Sequence, residues 1–74
     1  MSKPTRITNS IRALRFARGE MTQAELAQHI GVTRQTIIAI EQGRYSPSLE
    51  VAFQIARVLK VPLDDVFQYP EGEA

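Results

Sequence analysis

The chain contains no cysteine among its 74 residues. Neither a disulfide nor a thiolate zinc site can therefore support the fold, and the absence suits a reducing compartment. A domain of this length buries a modest share of its surface and is marginally stable alone. We therefore expect close helix packing and self-association to stabilise it.

Long apolar runs are also absent. No stretch approaches the ~20 apolar residues that a membrane-spanning helix needs. The polar stretch from Met1 to Arg6 is followed by no apolar segment that could act as a secretory signal. We expect one soluble, cytoplasmic domain over residues 9–69, with an N-terminal arm at 1–8 and a flexible tail at 70–74.

No residue pattern points to catalysis or to a bound group. His29 has no neighbours at metal-ligand spacing, and Asp64 and Asp65 are adjacent, so on a helix they point in different directions. Two aspartates near a helix start instead complement the helix dipole. The sequence has no nucleophile–base spacing, phosphate loop or dinucleotide fingerprint. We expect no enzyme activity, cofactor, metal or small-molecule ligand.

Charge is distributed unevenly along the chain, although the net charge is only +1. Residues 1–45 hold seven basic and three acidic side chains, a net +4, whereas residues 46–74 hold two basic and five acidic ones, a net −3. This split favours an interpretation in which residues 1–45 contact a polyanion. A chance division of a well-mixed surface explains the same numbers equally well.

Helical periodicity and capping residues predict five helices, over about residues 9–18, 22–30, 34–42, 49–60 and 62–67. Thr22 with Glu25 forms a capping-box pattern at the start of the second helix. Asn9 or Ser10 can cap the first helix, and Thr33 can cap the third. The apolar stripe of the fourth helix includes Leu49 and Phe53, which we expect to face the core. Residues 5–8 and 67–69 have strand-like composition and are compatible with a two-stranded ribbon that joins the termini.

The segment from Gln23 to Gln42 is the most informative part of the chain. It contains two short helices joined by a tight turn at Gly31, where glycine can adopt a positive φ. Ala27 lies where the two helices cross, and a larger side chain there would push them apart. This arrangement predicts a helix-turn-helix with the outer face of its second helix free.

The free face carries side chains suited to reading DNA. Arginine can bond two acceptors on guanine and glutamine two groups on adenine, while an apolar side chain can touch a thymine methyl. The expected base contacts are Arg34, Gln35, Ile38 and Ala39. The expected contacts to the DNA backbone are Gln23, Thr33, Thr36, Gln42, Arg44 and Tyr45. The alternative interpretation is that these residues are ordinary solvated side chains on a helix surface.

Residues 22–67, TQAELAQHIGVTRQTIIAIEQGRYSPSLEVAFQIARVLKVPLDDVF, resemble the Cro/C1-type (XRE) helix-turn-helix regulators. The likeness extends back to residues 11–15 and so covers most of the chain. The residues that carry it are Gln23, Leu26, Ala27, Gly31, Val32, Ile37, Ile40, Glu41, Gly43 and Pro47.

The resemblance implies an all-α, five-helix, lambda-repressor-like domain that binds two-fold symmetric DNA operators as a homodimer. It also implies that an arginine of the first helix pairs with Glu41. Arg15 is the first candidate, and Arg12 and Arg18 are the alternatives because the loop at residues 19–21 is one residue longer than in many relatives.

The apolar residues near the end of the sequence outnumber those that a small core needs, so some are expected at a dimer interface. These are Leu63, Val66, Phe67 and Tyr69. The resulting hypothesis is a transcriptional regulator that represses by promoter occlusion. The alternative is a protein-interaction module, such as an antitoxin-like or bridging partner.

Overall fold

The computed structural model describes residues 5–70 and contains the five predicted helices. They are α1 (Ile11–Ala17), α2 (Gln23–Ile30), α3 (Arg34–Glu41), α4 (Leu49–Leu59) and α5 (Leu63–Val66). Residues 1–4 of the expected arm and 71–74 of the expected tail lie outside the described residues. Between residues 5 and 70, every helix is too short or too polar to cross a membrane.

A two-stranded antiparallel ribbon joins the two ends of the domain, as the sequence suggested. Strand β1 (Thr8–Asn9) pairs with β2 (Phe67–Gln68), with Thr8 opposite Gln68 and Asn9 opposite Phe67. The ribbon is shorter than expected, because residues 5–7 and 69 lie outside it. Asn9 serves both the ribbon and the first helix, since its side-chain oxygen accepts a hydrogen bond from the amide of Ile11 at 3.2 Å.

The predicted capping residues begin and end the helices of the helix-turn-helix. Thr22 and Glu25 form the reciprocal capping box at the start of α2, with hydrogen bonds of 2.8 and 3.0 Å. The Thr33 side chain caps α3 by accepting a single hydrogen bond from the backbone N–H of Thr36. Gly31 ends α2 with φ of 90°, a left-handed conformation that glycine adopts without strain.

The core lies where α2 packs against α3 and α4, and it is closed by one residue from α1 and one from α5. It consists of Ile11, Leu26, Ala27, Ile37, Ile40, Ile55, Ala56, Leu59 and Val66. Because these side chains pack together from all five helices, the angle between α2 and α3 is fixed by packing.

Two apolar residues predicted to be buried on α4 are exposed instead. Leu49 is 73% exposed and Phe53 is 56% exposed. The buried residues of α4 at 52, 55, 56 and 59 form a narrower stripe, and Leu49 and Phe53 lie to one side of it.

The expected dimer-interface residues also need a correction at Val66. Its side chain is 0% exposed in the core, so it has no surface to offer a second chain. Leu63 and Phe67 are half-buried against the same core, and Tyr69 is 65% exposed.

Replacement of Ala27 by leucine tests the close crossing of the helices. Ala27 is 4% exposed in the core, and added methylenes in a packed site force neighbours apart, at about 1–3 kcal/mol. The matched control is Ala24→Leu, at an exposed position of the same helix, which we expect to change stability by less than ~0.5 kcal/mol. Urea unfolding followed by circular dichroism measures both, and equal effects would contradict the packing described.

Candidate nucleic-acid interface

The second helix of the motif, α3, presents its outer face to solvent. Ile37 and Ile40 bury the inner face, with 0% and 2% exposure. On the outer face Arg34 and Gln35 are exposed, at the N-terminal end of the helix. The other two predicted base contacts, Ile38 and Ala39, lie on α3 and are half-buried.

A buried ion pair fixes the other end of α3. The guanidinium of Arg15 donates to the carboxylate of Glu41 through Nε at 2.7 Å and Nη2 at 3.2 Å. The two side chains are 7% and 10% exposed. Arg15 Nη1 also donates to the carbonyl of Met21 at 2.7 Å. The pairing selects Arg15 from the three arginines that the sequence left open.

Gln23 joins the same network from the start of α2. Its side-chain nitrogen Nε2 donates a hydrogen bond to Glu41 Oε1 at 3.1 Å. The first residue of α2 therefore holds the last residue of α3. Every buried side-chain polar atom in the part of the chain that the structure describes has a hydrogen-bond partner. Such a satisfied network holds one geometry, because leaving any member unpaired costs its desolvation energy.

Asn9 is a supporting residue that the sequence reasoning assigned only to helix capping. Its side-chain nitrogen donates to the carbonyls of Ile40 and Glu41 at 3.1 and 3.4 Å. These groups are among the last carbonyls of α3, which have no partner within the helix. Since Asn9 lies 31 residues from Ile40 in the chain, only the fold reveals this role.

An open concave surface runs between α1, the start of α2, and α3. It brings together three predicted site residues, Gln23, Arg34 and Gln42, with Arg12 of α1. Phe16 of α1 also lines it, with the guanidinium of Arg12 5.6 Å from the centre of its ring. Arginine side chains beside a helix N-terminus attract phosphate groups. Arg12 therefore joins the candidate contacts to the DNA backbone.

The remaining predicted contacts lie near the two ends of α3. The hydroxyls of Thr33 and Thr36 are 3.0 Å apart at its N-terminus. The Thr33 hydroxyl also accepts a hydrogen bond from the backbone N–H of Thr36 at 3.2 Å. Beyond the C-terminus Arg44 is exposed and Tyr45 is 44% exposed.

Comparison with known proteins defines the class. The helix-turn-helix family model matches residues 11–66, which include all five helices. The chain belongs to this helix-turn-helix family of DNA-binding transcriptional regulators. The helix-turn-helix that gives the family its name is α2, the turn at Gly31 and α3.

Individual relatives support the assignment. An uncharacterized HTH-type transcriptional regulator of Methanocaldococcus jannaschii is 53% identical over 53 residues, which are 72% of this chain and 80% of the relative. YgzD of Bacillus subtilis, which carries the same description, is 43% identical over 85% of this chain and 94% of its own length.

Two more distant matches add a named regulator and a solved fold. The transcriptional repressor RstR of the cryptic phage CTXphi from Vibrio cholerae is 37% identical over 80% of this chain and 52% of its own length. A crystal structure from Bacteroides fragilis superposes with a TM-score of 0.73 at 24% identity, covering 84% of this chain and 98% of that one. At this identity the superposition supports the fold.

Replacement of Glu41 by leucine tests the ion pair. The variant leaves the guanidinium of Arg15 buried without its carboxylate, and loss of one partner of a buried pair costs about 3–5 kcal/mol. The double variant R15M/E41L removes both charges, so we expect it to regain much of the lost stability. Urea unfolding measures both free energies. A loss below ~1 kcal/mol in E41L would show that Glu41 does not anchor α3.

Proposed function

We propose that the protein binds a specific double-stranded DNA site as a homodimer and represses transcription by occluding the promoter. The observation that carries this proposal is the contrast between the two faces of α3. One face and the C-terminal end are held by the core and by the Arg15–Glu41 network. The other face exposes Arg34 and Gln35.

A helix with one rigidly held face and one exposed polar face fits the major groove of B-DNA. In this proposal Arg34 bonds guanine and Gln35 bonds adenine near the N-terminus of α3. Ile38 and Ala39, further along the helix, would contact thymine methyl groups. Within residues 5–70, the side-chain hydrogen bonds that orient α3 come from Asn9, Arg15 and Gln23, which leaves Arg34 and Gln35 available to bases.

Contacts to the DNA backbone would set the register of the helix in the groove. The proposed residues surround α3 at both ends. They are Arg12, Gln23, Thr33, Thr36, Gln42, Arg44 and Tyr45. Gln23 would both orient α3 and contact DNA. Its side-chain amide holds Glu41, and its position at the N-terminus of α2 favours a phosphate.

Dimerisation and repression are supported by the size of the domain and by one relative. Two copies can place their α3 helices in successive major grooves ~34 Å apart on a palindromic operator. RstR, which shares 37% identity, is named as a transcriptional repressor. A dimer bound across a promoter blocks polymerase without further chemistry.

Replacement of Arg34 by alanine tests base reading. We expect a loss of ~1–3 kcal/mol on the preferred site and relaxed preference at one base pair in each half-site. The matched comparison is Arg44→Ala, which removes a proposed phosphate contact and should weaken binding to all sequences alike. Binding titrations against single-base variants of the site measure both. If R34A kept the base preference of the unchanged protein, the assignment of Arg34 and Gln35 on the outer face of α3 as the reading face would be wrong.

Selection from random duplexes tests the whole proposal. We expect enrichment of a palindromic site, with log affinity falling by about 0.9 for each unit of log salt and each phosphate neutralised. The experiment is run at two salt concentrations with the full chain. Absence of enrichment would favour the protein-interaction module, which co-purification with a second small protein would then identify.

A further inference from the structure

Helix α4 carries an exposed apolar pair that the core does not use. Leu49 and Phe53 are four residues apart, 73% and 56% exposed, and so lie on the same side of the helix. The adjoining side of the helix packs into the core through Ala52, Ile55, Ala56 and Leu59. Contiguous exposed apolar side chains are candidates for a contact surface.

Two opposite charges lie along the same exposed face. Glu50 and Arg57 are seven residues apart, which is two helical turns or about 10 Å, and both side chains are exposed. They are too far apart to pair with each other. Within residues 5–70 the salt bridge present is Arg15–Glu41, so neither charge has an ionic partner there.

The order of these residues makes the face complementary to itself. Phe53 and Gln54 lie midway between Glu50 and Arg57. An antiparallel copy of α4, related by a two-fold axis at this midpoint, would bring each Glu50 opposite the other chain's Arg57. The two Phe53 side chains would then meet near the axis. A two-fold contact requires such a patch, since the same surface serves both chains.

We propose that this face of α4, defined by Leu49, Glu50, Phe53 and Arg57, is the two-fold contact of the homodimer. The inference rests on the dimer of the proposed function and assigns its contact to α4, whereas the sequence had favoured Leu63, Val66, Phe67 and Tyr69. The contact leaves Arg34 and Gln35 free, because they lie on a different helix.

The proposed contact is small. Helix α4 has 11 residues and is about 16 Å long. Stable interfaces bury about 1,200–2,000 Å², which a single helix pair of this length does not reach. We therefore expect a dimer that dissociates on dilution and weakens in high salt.

Charge reversal tests the arrangement directly. In E50R every Glu50–Arg57 pair becomes two positive charges, and in R57E every pair becomes two negative charges. We expect each variant to sediment as a single chain at concentrations where the unchanged protein sediments as two. An equimolar mixture of E50R and R57E restores opposite charges at both ends of the contact, so it should sediment as a heterodimer. The double variant E50R/R57E should regain the homodimer.

Several results would overturn the assignment to α4. One is dimerisation of both single variants at the same concentration as the unchanged protein. A second is failure of the mixture to associate, and a third is dissociation caused by Tyr69→Ala but not by Phe53→Ala. Sedimentation of the unchanged protein as a single chain at every concentration would also overturn it.

Binding to a duplex that contains one half-site separates this inference from the proposed function. E50R and R57E keep the reading face and should bind a half-site as the unchanged protein does, while losing the second copy on the palindrome. If the unchanged protein selected no DNA sequence, the proposed function would fail, whatever the sedimentation showed.

Discussion

The buried ion pair between Arg15 and Glu41 is the interaction on which the rest of the site depends. Burying two charges costs several kcal/mol, and only good geometry with additional hydrogen bonds offsets that cost. Here the backbone carbonyl of Met21 accepts a hydrogen bond from the guanidinium, and the side-chain amide of Gln23 donates one to the carboxylate. The pair therefore connects α1, the loop after it, and the start of α2 to the last residue of α3. Asn9 binds the carbonyls at the same helix end.

A polar anchor at this place does something that apolar packing cannot. Apolar burial has no preferred direction, and Ile37 and Ile40 alone would tolerate some rotation of α3. A guanidinium bound to a carboxylate through two nitrogens has a fixed geometry. Since the proposed function requires the outer face of α3 to meet base edges at hydrogen-bond distance, we infer that the pair serves orientation more than stability.

The sequence predicted those parts of the fold that depend on local signals. Thr22 with Glu25, Thr33 and Gly31 each act within a few residues, and the structure confirms all of them. Relations across the chain were less accessible. The choice among three arginines depended on how the loop after α1 turns, and Glu20 in that loop takes a positive φ of 61°. Periodicity also could not show which part of the wide apolar stripe on α4 a neighbouring helix would cover.

The exposed part of that stripe matters because of where α4 packs. Helix α2 contacts both α3 and α4, so the reading face and the proposed dimer contact lie on two helices fixed to the same third helix. No linker separates them. In the proposed dimer, the distance and angle between the two α3 helices would therefore follow from the packing of one core and one helix pair. In that dimer Ala27, buried at the α2 crossing, would help to set the half-site spacing without touching the DNA or the second chain.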